Sequence, residues 1–219
     1  MKRILFIRGF YSSEDDLKTD VSIQIKRYFQ NTKYKFDYFS YKSNEDIPDV
    51  YARLCEHIKR GKYDSLMGRS MGGNLLSKYI QEHDTTKYDN VVLLMPYLQD
   101  VKAPLYKIPF AKYVYLPKCV ALPNCALFEE GNLLNDNIDF VSIKQPTQLE
   151  FMNDEQTIAF FDKYKHVRLI YAKDEQVAVM NVVDQIKNKR IVDGLHECFH
   201  GVDGKSDFFD ELDKLFFSN

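Results

Sequence analysis

Hydrophobic positions along the chain fall into two alternating kinds of run. Short β-prone stretches at residues 3–8, 35–39, 65–67, 91–95, 167–172 and 190–193 have strand length and few interior polar positions, the pattern of strands covered on both faces. Between them lie segments with helical spacing. Leu17, Val21, Ile25 and Phe29 recur every fourth residue, and Val50, Leu54 and Ile58 do the same within 48–60. Residues 74–82 are helix-compatible. Residues 153–161 open with Asn153 and carry Gln156 three positions on, a relaxed capping box. Residues 208–217 place Phe208, Phe209, Leu212, Leu215 and Phe216 on one apolar face.

Strands alternating with helices over the whole length, with no long linker and no internal repeat, predict an α/β fold. Its core is a mostly parallel sheet of about six strands with helices on both faces. The 219 residues are expected to form one domain, 1–219. The rhythm breaks at 97–148, which holds Pro104, Pro109, Pro117, Pro123 and Pro146 together with several aromatics. This stretch is either a cap inserted over a site or an irregular excursion packed on the sheet.

A net charge of −2 removes the electrostatic case for nucleic acid or an anionic membrane as the main partner. Near the N-terminus the apolar run 4–7 is too short for a signal-peptide core or a membrane span. Cys55, Cys119, Cys125 and Cys198 form no C-x-x-C pair and are sparse for a disulfide scaffold, which fits reduced thiols in the cytoplasm. Cys119 and Cys125 have no His at ligand spacing, so no metal site is expected.

The chemistry concentrates at strand ends. Gly68-Arg69-Ser70-Met71-Gly72 joins a strand to a helix through G-x-S-x-G, a nucleophile elbow in which Ser70 is lifted from the sheet and faces a helix N-terminus. The same pentapeptide is compatible with a Gly-rich turn that only packs closely. The strand 167–172 leads to Asp174, favoured over Glu175 as a candidate acid because it follows the strand end more directly. The strand 190–193 leads through Gly194 to His196 and His200, two candidates for a general base, with His196 nearer the glycine. His57, His83 and His166 sit in helical or pre-strand surroundings that suit solvated or capping roles.

The order Ser, acid, His on these elements resembles the α/β-hydrolase superfamily, and the opening Arg8-Gly9-Phe10-Tyr11-Ser12-Ser13 is similar to the His-Gly-Phe-x-Ser-Ser run of small YqiA-type esterases. The resemblance implies a three-layer α/β-hydrolase fold that begins directly at the strand bearing the oxyanion hole. It further implies a Ser70–His196–Asp174 triad, an oxyanion hole made by the N–H groups of Phe10 and Met71, and hydrolysis of a small soluble ester or thioester through an acyl-enzyme without metal or organic cofactor. The chain departs from the family at Arg8, where His is usual, and at Arg69 before the nucleophile. An ungapped match to the family's closing motif puts Glu197 rather than His196 at the base position. Arg8 and Arg69 are accordingly candidates either for pairing with a protein carboxylate or for binding an anionic group of the substrate. A catalytically silent binding protein of the same fold is the alternative, and the sequence carries no signal of oligomeric state.

Overall fold

The computed structural model describes residues 1–9, 21–30, 32–42, 44–99, 113, 115–117, 140–142, 144–175, 177–194, 196 and 207–217. Within them the chain runs β1 (Lys2–Ile7), α1 (Val21–Gln30), β2 (Tyr34–Phe39), α2 (Ile47–Gly61), β3 (Ser65–Arg69), α3 (Met71–Glu82), β4 (Asn90–Leu94), β5 (Tyr115–Pro117), β6 (Phe140–Ser142), α4 (Asp154–Lys163), β7 (Val167–Ala172), β8 (Lys189–Val192) and α5 (Asp207–Phe216).

Six strands form one sheet in the order β2-β1-β3-β4-β7-β8, and every pairing in it is parallel. Parallel strands need crossovers, and helices supply them on both faces. Side chains on β1 show the partition. Leu5 and Ile7 join the core beneath α2, α3 and α4, among Leu54, Leu76 and Phe160. Ile4 and Phe6 join a second core beneath α1 and α5, among Phe29, Phe208 and Leu212. Alternate residues of one strand thus serve opposite layers, as a period of two requires. This explains why all four are fully buried and why the run is apolar without a break.

The six main strands lie within about two residues of the positions that the hydrophobic runs predict. Helix α3 begins at Met71, ahead of the readable periodicity, because Gly72 and Gly73 carry no apolar side chain to mark it. Helix α4 has the expected capping box in full: Asn153 Oδ1 accepts from Gln156 N at 2.8 Å and Gln156 Oε1 accepts from Asn153 N at 2.9 Å. Much of 97–148, the stretch read as either a cap or an irregular excursion, lies outside the described residues. Its described parts include β5 paired antiparallel with β6, and a 3-10 turn at Pro146–Gln148.

From β1 the chain winds one way to β2 and then the other way through β3, β4, β7 and β8. The sense of winding reverses between β1 and β3, so the carboxyl ends of these neighbours flank the crevice where open α/β sheets place their ligands.

Candidate active site

Ser70 follows β3 directly and is the N-cap of α3, with φ 52° and ψ −120°. A positive φ in a residue with a Cβ is strained, and it persists here because the surroundings fix it. The N–H of Ser70 donates to Leu94 O at 3.0 Å. Its carbonyl accepts from Gly73 N at 2.9 Å, Asn74 N at 3.1 Å and Tyr97 N at 2.9 Å. The turn also needs room. A Cβ on Gly72 would run into the carbonyl oxygens of Ile7 and Arg8, and one on Gly68 would stand 2.6 Å from Gly72 O. Gly9, just past the end of β1, brings bare backbone against Ser70: a Cβ there would lie 3.1 Å from the serine's own.

His196 arrives from the far side of the sheet. After β8 the chain bends at Gly194, whose φ of 123° belongs to the region that favours glycine. His196 Nε2 then lies 3.1 Å from Ser70 Oγ. Its other ring nitrogen, Nδ1, lies 2.9 Å and 2.8 Å from the two carboxylate oxygens of Glu175. Ser70 and His196 are buried and the Glu175 side chain is 1 % exposed, so the contacts form largely out of water.

Glu175, not Asp174, stands beside the histidine, and the backbone explains the correction. Past Ala172, the N–H of Glu175 returns to Ala172 O at 3.3 Å, closing a turn with Lys173 and Asp174 at its corners. Both corner residues are exposed, while the longer Glu175 side chain turns inward. There Oε1 also accepts from Val177 N at 2.7 Å and Ala178 N at 2.8 Å. Burial pushes the Glu175 carboxyl up, but the charge and hydrogen bond of His196 and the two backbone N–H groups outweigh it and hold the group below its ordinary range. An ionised Glu175 can only accept, so it selects the tautomer with the proton on Nδ1 and leaves Nε2 with a lone pair facing the serine hydroxyl. Tyr171 braces the loop from below: its hydroxyl donates to Ala178 O at 3.1 Å and accepts from Met180 N at 3.0 Å.

The remaining expected residues distribute as follows. Met71 is buried and is the first residue of α3, where an N–H has no acceptor within its own helix. Phe10 and His200 lie outside the described residues. Arg8 and Arg69 are both buried, and Arg69 Nη2 donates to the carbonyl of His196 at 2.9 Å. The carbonyl of Arg8 accepts from Tyr41 OH at 2.8 Å, which fixes the end of β1 just before Gly9. The three other histidines are elsewhere: His57 meets Tyr63 OH, His166 meets Thr85, and His83 stacks on Tyr79. Among the described residues no group of three or more His, Cys, Asp or Glu could hold a metal ion. No described helix is long and apolar enough to cross a membrane.

Neither a family profile nor any curated protein matches the sequence. Solved structures of similar fold do match. The chain superposes on the ydeN gene product of Bacillus subtilis with a TM-score of 0.55 at 13% identity, covering 99% of each chain. An esterase from Exiguobacterium antarcticum gives 0.54 at 13% identity over 98% of this chain and 88% of its own. A soluble variant of monoglyceride lipase from Saccharomyces cerevisiae gives 0.55 at 14% identity over 89% and 76%. The chain has the α/β-hydrolase fold. Within this α/β-hydrolase fold Ser70 occupies the strand-to-helix elbow, His196 follows the last strand of the sheet, and Glu175 follows the strand before it.

Proposed function

We propose that the protein is a serine hydrolase acting on a small soluble ester or thioester, with Ser70 as nucleophile, His196 as general base and Glu175 as the acid that orients it. The observation that carries this reading is the unbroken relay Ser70 Oγ–His196 Nε2, His196 Nδ1–Glu175, built on a strained elbow. Structural packing alone gives no reason to hold a serine at φ 52° against an imidazole with its tautomer set. Esterases and a lipase among the structural neighbours agree with it.

In the first step Ser70 Oγ attacks the carbonyl carbon while its proton passes to His196 Nε2. The imidazolium so formed is stabilised by Glu175 through Nδ1–H. Negative charge on the carbonyl oxygen is received at the N-terminus of α3 by the N–H of Met71, with the N–H of Phe10 as its counterpart after β1. Collapse breaks the C–O or C–S bond, and the leaving group takes the proton from Nε2. Water then repeats the sequence on the acyl-enzyme and restores Ser70. Every proton is supplied and returned by the relay, so the reaction calls for no metal or organic cofactor. The narrower likeness to YqiA-type esterases, a single domain over 1–219 with a cap within 97–148, a cytoplasmic location and a small molecule as the main partner belong to the same proposal.

A fluorophosphonate probe tests it directly. Labelling should map to Ser70, and Ser70→Ala should abolish labelling and lower turnover of p-nitrophenyl acetate by about 10⁶-fold while leaving thermal unfolding cooperative. A folded wild-type protein with neither labelling nor Ser70-dependent turnover would mark a silent member of the fold.

A further inference from the structure

Arg69 stands between the nucleophile and the base. It is the last residue of β3, paired with Leu94 of β4, so its backbone belongs to the rigid centre of the sheet. The residue is 3 % exposed, and Nη2 donates to the main-chain carbonyl of His196 at 2.9 Å. Nη1 runs alongside the end of β1, 3.6 Å from where a Cβ on Gly9 would be. The guanidinium therefore lies against the backbone that abuts Ser70 and also holds the segment that carries the base.

We infer that Arg69 is a positioning residue for His196, an inference that rests on the hydrolase reading. Glu175 and Arg69 hold different parts of His196. Glu175 fixes the direction of the ring through Nδ1, whereas Arg69 fixes the location of the main chain from which the ring hangs. Direction alone does not set the distance from Nε2 to Ser70 Oγ. The segment reaches His196 through Gly194, a bend that constrains its backbone weakly, so a hydrogen bond from the residue next to the nucleophile makes nucleophile and base share one reference frame. Arginine suits the task because its planar fork reaches across a strand end and is already oriented when it arrives.

The test compares Arg69→Met, which removes the donors at similar volume, with Arg69→Lys, which keeps one donor and the charge. Arg69→Met should lower kcat for p-nitrophenyl acetate by about 10²-fold, the cost of a misplacement near 1 Å. KM should stay within about twofold, since no substrate contact is removed. Arg69→Lys should recover part of the loss. The second readout is the low-field NMR resonance of the proton between His196 Nδ1 and Glu175, which should shift or broaden in Arg69→Met and lie closer to the wild-type position in Arg69→Lys. Should Arg69→Met fail to fold, Arg69→Gln takes its place with the same outcomes. A folded variant with wild-type kcat, or with lowered kcat but an unmoved resonance, overturns the assignment. If the wild type shows no Ser70-dependent turnover, the hydrolase reading fails by itself, and the resonance still reports whether Arg69 places the ring.

Discussion

Oε1 of Glu175 accepts from Val177 N and Ala178 N as well as from the His196 ring, so this carboxylate organises its own loop and the His196 ring together. Glu175→Gln should therefore cost about 10⁴-fold in kcat, since an amide can donate and would favour the wrong tautomer. Asp174→Asn, in the exposed corner of the turn, should leave kcat within about twofold. The same carboxyl is depressed in the folded protein, so its contribution to stability is present in full above the ordinary carboxylate range and disappears as pH falls through the folded value. In urea unfolding, the gap between wild type and Glu175→Gln should be widest near neutrality and close in acid. Ser70 and His196 were legible in the sequence because each follows a strand with a diagnostic glycine beside it. Glu175 was hidden because the choice between adjacent acids depends on a turn closed by Glu175 N and Ala172 O, and no periodicity reports which corner of a turn faces inward. Arg69 stood out as unusual in the sequence, but its acceptor is a main-chain carbonyl 127 residues away, and a main-chain acceptor leaves no mark on residue type.

Elements whose signals are local were readable almost to the residue. The capping box of α4 needs only Asn153 and Gln156 at the right spacing, and Pro48 at the start of α2 marks that helix by its fixed φ and missing N–H. Asn153→Ala should remove about 1 kcal/mol of stability, readable as a lower urea midpoint at an unchanged slope, with any turnover of p-nitrophenyl acetate unaffected because the bonds lost are those of the cap between Asn153 and Gln156. The pairing of β5 with β6 was not legible. Those strands are three residues each and lie among prolines, and each finds its partner more than twenty residues away, so neither composition nor period distinguishes them from loop.

At the scale of the molecule, the two-sided burial of β1 decides the architecture: four consecutive apolar residues can be covered only if helices lie on both faces. Unbroken apolar runs announced this in the sequence. What they could not announce was strand order, which follows from the handedness of the crossovers and puts β1 beside β3 rather than at an edge. That single adjacency brings Gly9 to Ser70, and β7 and β8 then deliver Glu175 and His196 from the other half of the sheet. The site is thus a product of topology, assembled from four strand ends that are distant in sequence.

The close approach of Gly72 to β1 separates two kinds of selection. A side chain there would strike backbone carbonyls of Ile7 and Arg8, and one at Gly68 would crowd the first turn of α3, whether or not the serine between them ever reacts. A library randomised at 68, 70 and 72 and sorted only for folded protein, as by protease resistance on a cell surface, should return glycine at 68 and 72 and many residues at 70. Glycine-rich survivors with alanine or asparagine at 70 would show that the flanks of the motif are kept by packing. Lineages that abandon catalysis would then keep the glycines as a fossil of the fold, and the identities at 70, 175 and 196 would record whether chemistry is still under selection.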